Sequence, residues 1–171
     1  MDKFLNYLSE TDEFIQMDRA ISERNTPILL NGISTESIPF FLDYIYSAHK
    51  QKVIFITPSD IAAQDIYREL LRYNSSKIII LQSDELKFYQ IDAINRDNEF
   101  QRINCLKRIY DNDYDILIIS IASLLRKYMP KKYYEKNIID IKLSSNIDIY
   151  ELTKKLIVSG YDRVRKIESK G

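Results

Sequence analysis

The sequence predicts an α/β fold, a parallel sheet flanked by helices, and three observations carry that prediction. Four short runs are apolar throughout: 27–30, 53–56, 78–81 and 116–119. Between them, apolar residues recur at helical spacing. Only 3 Gly and 4 Pro in 171 residues leave most of the chain to regular structure. Strands without polar alternation, separated by helices, belong in a parallel sheet covered on both faces.

The elements follow in order. Phe14, Met17 and Ile21 repeat as on a surface helix over 12–24. Pro27-Ile28-Leu29-Leu30 reads as a short buried strand, and after a polar turn Phe40, Phe41, Tyr44 and Ile45 form a helical face. Val53-Ile54-Phe55-Ile56 is a second strand, ended by Thr57-Pro58. Ser59 is a natural N-cap for a helix whose Ala62, Ile66, Leu70 and Tyr73 share one side. Ile78-Ile79-Ile80-Leu81 is a third strand. A polar and aromatic loop over 82–96 leads to a helix with Phe100, Ile103, Leu106 and Tyr110, and Ile116-Leu117-Ile118-Ile119 is a fourth strand.

The pattern changes near 137, which divides the chain into a first domain over 1–137 and the start of a second, small α+β domain over 138–171. Residues 138–143 are a candidate strand. Asp148 and Glu151 have capping-box spacing ahead of a helix carrying Ile149, Leu152 and Leu156, and Gly160 suits its C-terminal cap. A further strand is expected near 163–167. A helix with one or two strands cannot bury a core alone. This tail is therefore expected either to pack on the first domain or to remain incomplete in this chain.

Composition excludes several classes. Apolar residues make up 45% and charged residues 29%, a globular rather than a disordered balance. Lys+Arg and Asp+Glu both number 25, so the formal net charge is zero. Nucleic-acid domains usually show a basic footprint, which argues against DNA binding by the chain as a whole. One local exception is the cluster Arg126, Lys127, Lys131, Lys132 and Lys136, which reads first as a solvated helix end and second as a binding patch. Cys105 is the single cysteine, so no internal disulfide forms, and its place on an apolar helix face marks a structural thiol. His49 is the single histidine, which removes a His-rich metal site and disfavours a Ser-His-Asp triad. The first residues carry no apolar signal core and no run approaches membrane-spanning length, so a cytoplasmic protein without membrane contact is expected.

The most informative segment is 29–39, Leu-Leu-Asn-Gly-Ile-Ser-Thr-Glu-Ser-Ile-Pro. A phosphate-binding loop of the pattern G-x-x-x-x-G-K-[ST] needs its second Gly for backbone curvature, its Lys for charge and its hydroxyl for Mg²⁺. Counted from Gly32, those three positions hold Ser37, Ile38 and Pro39. Charge-assisted hydrogen bonds are worth roughly 1.5–3 kcal/mol each, so losing Lys and hydroxyl costs about 3–6 kcal/mol, two to four decades of affinity. No catalytic residue, metal or cofactor is expected here. The segment reads equally well as an ordinary strand-turn-helix. Asp111, Asp113 and Asp115 invite a calcium-loop reading, but Ile116 and Ala122 stand where such a loop needs Gly and Glu. A solvated turn is the better account.

Several segments carry a family resemblance. The run Thr57-Pro58-Ser59-Asp60-Ile61-Ala62-Ala63-Gln64-Asp65-Ile66-Tyr67 resembles a helicase motif of the B protein of the excision-repair nuclease. Phe88-Tyr89-Gln90-Ile91-Asp92-Ala93, Arg102-Ile103-Asn104-Cys105-Leu106 and the run from Asp115 to Leu125 are similar to bacterial transcription-repair coupling factors. Gly160-Tyr161-Asp162-Arg163-Val164, with Glu168 and Gly171, resembles the opening of that family's second domain. These segments occur in the family's order across 27–171. The nuclease B protein keeps an intact ATP loop, whereas coupling factors carry a degenerate copy, so Ile38 and Pro39 favour the coupling factor.

The resemblance implies a degenerate P-loop NTPase (RecA-like) domain that is not an enzyme. It implies an ATP-dependent DNA-translocating motor elsewhere in the parent protein. Such a module would help recruit the excision nuclease A protein to stalled RNA polymerase, mainly through segments beyond Gly171, and would restrain the motor. Its contacts with RNA polymerase and DNA would run only through other domains. Two other classes stay open: a nucleic-acid module using 126–136 with Tyr128, Tyr133 and Tyr134 as stacking groups, and a phosphate-handling α/β enzyme using Ser34, Thr35 and Ser37.

Overall fold

The computed structural model describes residues 10–73, 77–83, 96–139, 141–143, 146–161 and 163–164. The chain divides into two compact units, Met1–Arg126 and Lys127–Gly171.

In the first unit, helix α1 spans Asp12–Ser22. Thr11 caps it by accepting from the Phe14 amide at 3.4 Å, and Asp12 and Glu13 sit in its positive first turn. Phe14 and Met17 are its buried residues. Helix α2, Ile38–His49, ends where Lys50 turns left-handed at φ 54. The two helices are joined by aromatic and polar contacts. The Phe14 ring meets Tyr44 edge-on at 4.6 Å, and the Tyr44 hydroxyl donates to Asp18 Oδ1 at 2.6 Å. Burial, then the Asp18 bond and charge, push that phenol up to about 12. His49 Nε2 also lies 2.9 Å from Asp18 Oδ1, close but not aligned as a hydrogen bond.

Strand β1 (Val53–Thr57), helix α3 (Asp60–Tyr73), strand β2 (Ile78–Leu81), helix α4 (Arg96–Tyr110) and strand β3 (Ile116–Ser120) follow, then the short helix α5 (Ile121–Leu124). The sheet is parallel in the order β1-β3-β2. A central strand has a neighbour on each edge and, in a parallel sheet, cover on each face. All five β3 residues are accordingly buried. Helix α3 presents Ala63, Ile66 and Leu70 to the sheet, where they join Leu42, Ile78, Ile116 and Ile118 in one core. Its buried stripe starts at Ala63 rather than the expected Ala62, one residue round the helix. Ser59 does cap α3, its hydroxyl accepting from the Ala62 amide at 3.2 Å.

The expected strands over 53–56, 78–81 and 116–119 are present. The one expected over 27–30 is not: these residues are irregular, with Leu29 82% and Leu30 41% exposed. Pro27 has no amide to donate, and among the described residues no strand lies beside the segment, so its backbone has no ladder to join. The fold is therefore a small α/β sheet of three strands among the described residues.

In the second unit, helix α6 spans Lys131–Asn137 and helix α7 spans Ile149–Val158. Asp148 caps α7 by accepting from the Tyr150 and Glu151 amides at 2.8 and 3.4 Å. Gly160, at φ +90, follows its C-terminus, and the Tyr161 amide reaches back to the Leu156 carbonyl at 3.0 Å. A left-handed turn there is what glycine permits cheaply. The strand expected over 138–143 is not formed at the described positions, and Ile141 and Leu143 are exposed. Again no described strand offers them a partner. The expected strand near 163–167 and most of the 82–96 loop, including the motif residues 88–93, lie outside the described residues.

Candidate functional site

The segment singled out in the sequence begins with an irregular stretch and turns at Gly32, whose φ of +76 is the left-handed region that favours glycine. Nothing lies within 4 Å of a Cβ placed there, so the backbone angle rather than crowding explains the residue. A single turn of 3-10 helix, Thr35–Ser37, leads into α2. The Ser37 amide donates to the Ser34 carbonyl at 3.0 Å, and the two hydroxyls share a hydrogen bond of 3.0 Å. Glu36 is exposed, and hydrogen bonds from its own backbone amide and from Ser34 hold its carboxyl below the usual range.

The two decisive positions face inward. Ile38 is half-buried against the core formed by Leu42, Ile66 and their neighbours. Pro39, in the first turn of α2, is among the fully buried side chains. A lysine and a metal-holding hydroxyl would have to point at a ligand. Here these positions contribute apolar packing, and the loop hydroxyls Ser34 and Ser37 are turned on each other.

A second polar group was not visible in the sequence. Thr57, Asp60, Ser83, Ser120 and Ser123 are all buried near the carboxyl ends of the three strands, the edge where parallel α/β sheets usually bind ligands. Each makes an internal bond. Thr57 Oγ1 donates to the Ser59 carbonyl at 2.9 Å. Ser83 donates from its amide and its hydroxyl to the Asp60 carboxylate. Ser120 Oγ accepts from the Ser123 amide at 3.1 Å and so caps α5. A serine closing a strand before a helix is a local signal that could have been read. The Asp60–Ser83 bond joins residues 23 apart in the chain and leaves no local pattern. These bonds close helix and strand ends, and the Ser83 hydroxyl and the Asp60 carboxylate it bonds are both buried.

Cys105 is buried, and burial pushes its thiol up to about 11, so it is protonated and inert at neutral pH. The acidic turn over 111–115 has Asn112 left-handed at φ 58, the Asp115 carboxylate accepting from the Lys77 amide at 2.8 Å, and Asp113 paired with Lys77. It ties the end of α4 and the start of β3 to the start of β2. Among the described residues no group of three or more His, Cys, Asp or Glu side chains could hold a metal ion. Around α6, Lys132, Tyr133 and Lys136 are exposed, while Lys131 pairs with Glu135 at 3.7 Å. No helix among the described residues is long and apolar enough to cross a membrane.

Fold and site together define a small parallel α/β module whose candidate phosphate loop is occupied by apolar packing. Its sequence is similar to proteins named transcription-repair-coupling factor. One from Bacillus subtilis (strain 168) is 20% identical over 172 residues, covering 100% of this chain and 15% of that protein. Others, from Staphylococcus epidermidis (strain RP62A) and Staphylococcus haemolyticus (strain JCSC1435), are 19% identical over 159 residues, 92% of this chain and 13% of theirs. The chain thus spans about one seventh of the length of the curated relatives it matches. No family model matches it.

Proposed function

We propose that the chain is a non-catalytic scaffold module of a transcription-coupled DNA repair factor, a degenerate relative of the RecA-like nucleotide-binding domains. The observation that carries this reading is the inward packing of Ile38 and Pro39 at the positions where a working phosphate loop holds its lysine and its hydroxyl. The whole-chain similarity to transcription-repair-coupling factors supplies the biological setting. In that setting the module helps bring the excision nuclease A protein to stalled RNA polymerase and restrains the parent protein's motor. DNA and polymerase are met by other domains. The boundary we assign to the module from its sequence pattern is residue 137, with 138–171 opening a second domain, although the compact units divide after Arg126.

Surface-plasmon measurement against the purified nuclease A protein tests the reading. The parent polypeptide is expected to bind. The present chain is expected to bind at least about a hundredfold more weakly, roughly 3 kcal/mol, because the incompletely supported second domain must order on contact. A parent polypeptide that ignores the nuclease A protein contradicts the recruitment role. Equal affinities would place the contact within 1–171 and contradict the division of labour.

A further inference from the structure

Asn31 and Gly32 lie in the irregular stretch ahead of the 3-10 turn, and both are exposed. The side-chain amide carbon of an asparagine can be reached by the backbone nitrogen of the next residue, closing a five-membered ring. A Cβ on that next residue crowds the attack, and a hydrogen bond that fixes its amide opposes it. Neither obstacle is present here. Gly32 has no Cβ, and nothing lies within 4 Å of where one would stand. Its amide donates to no acceptor among the described residues. Its φ of +76 belongs to a bend outside any helix or strand.

The other described asparagines lack this combination. The Asp113 amide, next to Asn112, is held by the Arg108 carbonyl at 2.8 Å. Asn25, Asn137 and Asn146 precede the β-branched residues Thr26, Ile138 and Ile147. Asn98 and Asn104 lie inside α4, where the helical backbone fixes the following amide.

We propose that Asn31 is a site of spontaneous deamidation and isoaspartate formation. Solvent base removes the Gly32 amide proton, and the nitrogen attacks Asn31 Cγ. The new N–Cγ bond forms as the Cγ–Nδ2 bond breaks, and the side-chain nitrogen leaves as ammonia after taking a proton from water. Water then opens the succinimide. Breaking the N–Cγ bond gives aspartate. Breaking the bond to the main-chain carbonyl gives isoaspartate, with the chain running through Cβ and Cγ. Water is the only co-reactant and nothing is oxidised or reduced. Either product adds one negative charge to a chain of formal net charge zero. Isoaspartate also lengthens the main chain by one carbon at the Gly32 turn, on the way into the candidate loop. The reaction is independent of what the chain binds.

The test holds the full chain folded at mildly alkaline pH for days, followed by peptide mapping with fragmentation that separates isoaspartate from aspartate. Conversion at Asn31 exceeds that at Asn112 at least about tenfold, and its rate rises with pH. Gly32→Ala slows it at least about tenfold. Asn31→Gln, which would have to close a larger ring, yields no product while the far-ultraviolet spectrum stays unchanged. In the urea-unfolded chain the rate at Asn31 stays within about tenfold of the folded rate, because the fold leaves this amide open. A larger gap would mean that the fold shields Gly32, and it overturns the proposal. So does an Asn31 that persists while another asparagine converts first, or a rate indifferent to pH or to Gly32→Ala.

Discussion

Strand β3 and helix α7 are both rich in Ile and Leu, yet every residue of β3 is buried and none of α7 is. Both are well specified locally: β3 runs Ile-Leu-Ile-Ile-Ser, and α7 has an Asp148 cap and a Gly160 stop. What separates them is neighbours. Strand β3 has β1 and β2 on its two edges and α3 on a face, while Ile149, Ile157 and Val158 of α7 remain exposed. Local signals place an element, and only partners from elsewhere in the chain make it stable.

The largest expected difference follows directly. Ile118→Ala, at a side chain with no exposed surface, should cost about 3–4 kcal/mol in chemical denaturation. Leu152→Ala, on the half-buried side of α7, should cost less than about 1 kcal/mol. Similar losses at both sites would break the contrast. Hydrogen exchange sharpens it. Amides over 149–157 should open about a hundredfold faster than those of Val53, Phe55 and 116–119. Equal protection would mean that α7 shares the stability of the sheet.

The same contrast explains how far the sequence could be read. The three paired strands, the Ser59 cap and the Asp148 cap depend on a few adjacent residues, and all were legible. The expected strands over 27–30 and 138–143 failed for one reason. An apolar run becomes a strand only when another strand offers a ladder, and pairing is not written within the run itself. Exposed Leu29 and Leu143 show the outcome. The candidate loop was legible as a missing pattern at Ser37, Ile38 and Pro39. That Ile38 and Pro39 are packing residues was not, because the core beside Ile38 draws on α3, a later element of the chain. The polar group at the strand ends was hidden likewise, since Asp60 and Ser83 meet only after the intervening helix and strand have packed.

Smaller effects probe the loop and the acidic turn. Ile38→Lys combined with Pro39→Thr would restore the consensus lysine and hydroxyl, leaving Ser37, but put a charge and a hydroxyl into packed positions. A loss of about 2–3 kcal/mol is expected, read as a lower Tm. Unchanged stability would show that both positions can face solvent. Asp113 gives the smallest effect. The hydrogen bond from Lys77, with the nearby Lys77, Arg108 and Lys52 charges, lowers its pKa in the folded chain. Its contribution is therefore fully present above the ordinary carboxylate range near about 4 and fades as pH falls through the lowered value. Asp113→Asn should slightly reduce stability at pH 7, and by progressively less as pH falls through the lowered value. A larger effect of the substitution in acid would reverse that sign.

On the proposed reading, the inward packing of Ile38 and Pro39 stands where a working loop would hold phosphate. Calorimetric titration of the chain with Mg-ATP tests it most directly. The account predicts no saturable heat at micromolar nucleotide and no phosphate release above blank. A dissociation constant below about 10 μM, or any turnover, would contradict it.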